Sequence, residues 1–120
     1  MKPSVLRDKS FAFALRVVRL SQELQQNQKE FVLSKQILRS GTAIGALVRE
    51  GEFAQSKSDF INKLSIALKE ANETEYWILL LQEAKLIKDE LADSLQSDCK
   101  ELIAMLVASV KTAKKVKSDK

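Results

Sequence analysis

"LRSGTAIGALVREG", residues 38–51, contains all three glycines of a 120-residue chain, and its reading decides the fold. A phosphate-cradling loop needs a strand before its glycines and a Lys followed by Ser or Thr after them, because the ammonium and the hydroxyl complete the site. Neither is present here. A dinucleotide-binding turn needs a close glycine pair that lets backbone approach the pyrophosphate, and the spacing of Gly41, Gly45 and Gly51 lacks one. A helix fits instead. Gly41 and Gly45 lie four residues apart, on one side of a helix, beside the apolar stripe of Ile37, Ile44 and Val48. Each glycine costs about 1 kcal/mol relative to alanine inside a helix. Close approach of another backbone would offset that cost, with Ser40 and Ala46 extending the run of small residues. On this reading Gly45→Leu damages packing or assembly despite its better helix propensity.

Helical periodicity continues on both sides of this stretch. Upstream, residues from about 5 to 26 carry Phe11, Phe13, Ala14, Leu15, Val17, Val18, Leu20 and Leu24 over an arc of roughly 220°, leaving Arg16, Arg19 and Glu23 as the wet stripe. The polar run "QQNQKE", 25–30, breaks the pattern before Phe31 and Leu33 resume it in a second helix that ends near Gly51. Ser56, with Asp59 three residues later, offers an N-terminal cap. Beyond it Phe60, Ile61, Leu64, Ala67, Leu68, Ala71 and Ile78 trace a third helix to about Ala84. "KLIKDE", 85–90, connects it, with Asp89 as cap, to a fourth helix marked by Leu91, Leu95, Leu102, Ile103, Leu106 and Val110. Residues 111–120 read as a helix end and a basic tail. Connections this short force antiparallel neighbours. The expectation is one all-α domain over 1–120, an antiparallel up-down-up-down four-helix bundle.

Composition narrows the function. The chain is 45% hydrophobic and 30% charged with a single proline, the balance of a folded helical protein. No apolar run approaches the roughly 18 residues that span a bilayer, and no signal-peptide core is present, so a cytoplasmic protein without membrane contact is expected. The lone Cys99 falls at helical spacing among Leu95, Leu102 and Leu106, where a thiol acts as a small apolar filler. There is no His to activate it. The same absence removes the Glu-x-x-His motif of di-iron bundles, and Glu70, Glu73 and Glu75 alone make a poor metal site. No catalytic residue, metal site or cofactor is therefore expected.

Two features point to association. Trp77, Ile78, Leu79, Leu80 and Leu81 place apolar groups on every side of the third helix, more than one core can hide, which suggests a homo-oligomer interface. Glu75 falls by helical angle inside the apolar stripe, and a buried carboxylate calls for a partner such as Arg39 or Arg16. Charge is also uneven. Residues 1–63 carry 11 basic against 6 acidic side chains, residues 64–110 carry 4 against 9, and residues 111–120 carry 5 against 1. Lys9, Arg16, Arg19, Lys35, Arg39, Lys111, Lys114, Lys115 and Lys117 are thus candidate contacts to nucleic-acid phosphates. No aromatic platform interleaves them along the chain.

The segments "FVLSKQILRSGTAIGALVREG" and "SKSDFINKLSIALKEANETEYWILLL" resemble the four-helix-bundle family encoded in intervening sequences of bacterial 23S ribosomal RNA genes. The likeness runs from "KSFAFALRVVRL" onward, most specifically in "LRSGTAIGA" and "ALKEANETEYW". Where that family has Asn or Asp with a second acidic residue after the second glycine, this chain has "LVREG". The resemblance implies a bundle that assembles into a pentameric ring. It also implies kinship in fold with accessory proteins of diversity-generating retroelements, basic pentamers that work with a reverse transcriptase and nucleic acid. The leading expectation is a non-catalytic homo-oligomer that binds structured RNA, or a protein–RNA assembly, through basic surfaces. Its rival is a protein-only scaffold, and an enzyme comes third.

Overall fold

The apolar periodicity resolves into α1 (Pro3–Gln28), α2 (Leu33–Glu52), α3 (Lys57–Glu83) and α4 (Asp89–Lys115) in a computed structural model that describes residues 3–116. No strand occurs among the described residues. Contacts across each seam fix the helix directions. Gly41 faces Val17 and Gly45 faces Ser10. The Ser40 and Thr74 hydroxyls hydrogen-bond at 2.9 Å, the Cys99 thiol donates to the Ala71 carbonyl, and Arg16 reaches Asp98. A second contact at each remaining seam, Glu50 with Lys63, Glu75 with Gln96 and Lys9 with Glu101, shows residue numbers rising on one helix as they fall on its neighbour. The fold is the expected up-down-up-down bundle, a rod of 53 × 21 × 19 Å.

α1 packs on α2 and α4, and α3 on the same two helices, while the backbones of the diagonal pairs stay apart. The α1–α4 seam is much the thinnest. Near the end where α1 begins, α4 presents Ala108, Ser109, Thr112 and Ala113, which are too small to close fully on Leu6, and an apolar pocket of about 200 Å³ opens there. The core itself is continuous, with Phe13, Val17, Leu24, Ile37, Ile44, Leu64, Leu95, Leu102 and Leu106 all buried. Cys99 is buried among them, and desolvation, with Glu75 nearby, pushes its thiol pKa up to about 12.

The helix ends show how the chain turns. α1 runs two residues past the expected end because "QQNQ" is polar yet helix-compatible, with Asn27 donating to Glu23 on its surface. Glu30 then does what no residue of α2 itself does. Its carboxylate accepts from the backbone N–H groups of Val32, Leu33 and Ser34 at 3.2, 3.1 and 2.7 Å, capping α2 from two residues before its N-cap. Ser56 caps α3 through the N–H of Asp59, as the sequence predicts. Asp89 is not the cap of α4; Lys88 occupies that position without a side-chain bond, and Asp89 and Glu90 lie in the first turn, where negative charge suits the helix dipole.

Two expectations about α3 are corrected. Ile78 and Leu81 are not interface residues of the single chain's surface, for at 0% and 1% exposure they fill its own core. Trp77 and Leu80 are half-buried, and only Leu79 of that run stands out, beside an exposed Tyr76 whose ring meets Trp77 edge-on. Glu75 pairs with neither Arg39 nor Arg16. It lies on the edge of α3 that faces α4, half-buried, and binds the exposed Lys100 at 2.7 Å, which raises the lysine pKa. Arg39 belongs to α2 on the opposite edge, and α1 is diagonal to α3.

Candidate nucleic-acid interface

The bundle sorts the predicted basic residues into paired and unpaired sets. Lys9 lies 3.3 Å from Glu101 and Arg16 lies 2.7 Å from Asp98, so both brace the thin α1–α4 seam. Arg39 binds Glu70 at 3.1 Å and also Glu73, whose other partner is the Trp77 indole N–H. The indole, then the guanidinium, hold the Glu73 carboxyl below its usual pKa. These three cations are spent largely inside the protomer.

Arg19, Lys35, Lys111, Lys114 and Lys115 are exposed and have no ion-pair partner among the described residues. Lys117 lies outside the described residues. The unpaired set does not form one patch. Arg16 and Asp98 fix the relative level of α1 and α4; at about 1.5 Å rise per residue, Lys111 stands roughly 24 Å along the rod from Arg19. One group therefore serves each end of the bundle.

A cation that sequence reading passed over completes the picture. Arg49, in the last turn of α2, is exposed and also unpaired among the described residues. It borders a shallow groove between α1 and α2, floored by Ala14, Gly45 and Ala46 and walled on the other side by Arg7 and Phe11. Beyond Arg49 and Ala46 a second concavity continues to Phe53, with Glu50, Asp59 and Lys63 on its rim. Phe11 is 63% exposed and Phe53 79%. The nearby acids are answered locally: Arg7 reaches Asp8 and Glu52, and Lys63 reaches Glu50 and Asp59. The groove is open because its floor is small, and Gly45 is small because the Ser10 carbonyl would stand 3.3 Å from an added Cβ.

Elsewhere the surface offers less chemistry. No cluster of three or more His, Cys, Asp or Glu is placed to hold a metal ion among the described residues. No described helix is long and apolar enough to cross a membrane.

Comparison with known proteins agrees with this architecture. Residues 4–108 match the 23S rRNA-intervening sequence protein family. Among solved structures, the chain is similar to a protein of unknown function from the S23 ribosomal protein family of Bacteroides thetaiotaomicron. The two share 56% identity over 92% of this chain and 99% of that one, with a TM-score of 0.90. No curated protein matches. With the match covering all but residues 1–3 and 109–120, and the four-helix fold in place, the chain belongs to the 23S rRNA-intervening sequence protein family.

Proposed function

We propose that this protein works by binding and not by catalysis, as a homo-oligomer that holds structured RNA, or a protein–RNA assembly, through its basic surfaces. The observation that carries this reading is the number of exposed cations with no ion-pair partner among the described residues: Arg19, Lys35, Arg49, Lys111, Lys114 and Lys115, with Lys29, Lys69, Lys85 and Lys88 beside them. Cations that merely balance a neighbour's charge would be paired, as Lys9, Arg16 and Arg39 are. Unpaired ones are available to displace counterions from a phosphate backbone. Family membership supports the same direction, and the exposed Tyr76 and Leu79 on α3 would offer self-association an apolar contact. A pentameric ring, as the resemblance implies, would repeat each basic group around an axis and multiply its field.

A protein-only scaffold is favoured by one observation, the internal pairing of three of the nine basic residues singled out in the sequence. Light scattering coupled to size exclusion, alone and with a structured ribosomal RNA fragment at low and physiological salt, separates the two. The expected result is an oligomer that carries RNA, with binding weakening steeply as salt rises. Replacing Arg19, Lys35 and Lys111 with Gln should lower the salt slope by about one per lost phosphate contact. An oligomer that ignores RNA at both salts makes the scaffold the function.

A further inference from the structure

We infer that the surface centred on Arg49 is a binding site for unpaired nucleotides, with Phe11 and Phe53 as stacking platforms on either side of a phosphate-binding guanidinium. This deepens the RNA-binding reading and rests on it. Proteins that bind single strands combine a cationic track along the backbone with aromatic faces on which bases stack. The chain shows no such combination in order, since Phe11 and Arg49 are 38 positions apart. Helix packing creates it. The α1–α2 groove brings Phe11 opposite Arg49, and Phe53, one turn beyond Arg49 at the end of α2, shares the next concavity with it.

Three features select this occupant. The two phenyl rings, 63% and 79% exposed, are the most exposed aromatic side chains among the described residues, and each borders a concave surface. Of the three cations here, against four carboxylates, only Arg49 has no described partner: Arg7 is engaged with Asp8 and Glu52, and Lys63 with Glu50 and Asp59, which leaves the Arg49 guanidinium open to a phosphate. The floor, Ala14, Gly45 and Ala46, carries no bulky side chain that would keep a base from the groove. An A-form duplex has its bases stacked and covered, so it offers neither ring a free face. Loops, bulges and ends of a folded RNA do.

The test uses the full chain and a dye-labelled RNA of about twelve nucleotides, read by fluorescence anisotropy as a single strand and as the same strand annealed to its complement. Phe11→Ala and Phe53→Ala keep every charge, and both side chains lie on the surface. Each is expected to weaken single-strand binding about fivefold to a hundredfold, the value of one lost base stack, and to leave duplex binding unchanged. Arg49→Gln is expected to weaken single-strand binding and to flatten its salt dependence. Circular dichroism and light scattering on each variant establish that fold and assembly are retained. If wild-type protein binds RNA but the phenylalanine variants bind single strand and duplex as it does, or lose both equally, the site is not a nucleotide site and the broader RNA reading stands. If wild-type protein binds neither RNA, both readings fall. A variant that changes particle mass instead shows the groove to be a contact between copies, which also overturns the proposal.

Discussion

Of the three glycines, Gly41 is the most tightly faced: an added Cβ would stand 2.8 Å from both γ-carbons of Val17. Val17 is fully buried and β-branched, so it has little freedom to yield. Gly41→Ala therefore sets about 1 kcal/mol of helix propensity against an overpacking cost of about 1–3 kcal/mol, and net destabilisation is expected in urea denaturation. Adding Val17→Ala should make the pair less destabilised than the sum of the two single changes, because the second removes the atoms the first collides with. Equal and additive losses would contradict the contact. Spacing alone places Gly41 and Gly45 on one side of α2, but the expected approach of another backbone holds only at Gly45, against Ser10; at Gly41 the neighbour is the Val17 side chain. Spacing could not supply the partner, and for the same reason it misassigned Glu75. A helical angle gives the direction a side chain leaves its own helix, but not which neighbour lies there, and for Glu75 that neighbour is α4 with Lys100.

At the level of elements, the start of α2 depends on one carboxylate outside the helix. Burial opposes ionisation of Glu30, but hydrogen bonds from Leu33, Ser34 and Val32 outweigh it, and its pKa lies below the usual glutamate value. A depressed pKa means that the cap stabilises the folded state fully above the unfolded value of about 4.3 and that this contribution disappears as pH falls through the folded value. Glu30→Gln should thus cost about 1 kcal/mol at neutral pH, and its deficit against wild type should narrow as both are acidified below about pH 4. Thermal melts at the two pH values would show it; a deficit independent of pH would assign the loss to packing. The four helices were legible because their apolar stripes persist for five or more turns. This cap was not, because a side chain reaching forward from two positions before the N-cap lacks the Ser-x-x-Asp form that exposed Ser56 and Asp59. The Arg49 surface was hidden for a related reason, its two aromatic walls coming from different elements.

The whole molecule inherits one consequence from α3. With Ile78 and Leu81 in the core and Tyr76 and Leu79 outside it, the apolar run divides into an intramolecular half and an exposed half. For the proposed homo-oligomer, Leu79→Glu should leave the melting curve of the protomer nearly intact while reducing particle mass in light scattering; unchanged mass would count against a self-contact on this face of α3. The thin α1–α4 seam has a meaning in time as well as in space. Every other seam joins helices linked by a short loop, but Arg16 and Asp98 meet across 82 positions. Loop-closure entropy grows with that separation, and so few contacts return so little of it that this seam is the natural last step of folding. As the chain leaves the ribosome, α1, α2 and α3 can already be packed, with Gly41 on Val17 and Ser40 on Thr74, before α4 has been synthesised. Until then one flank of the core faces water, and α4 covers it on docking.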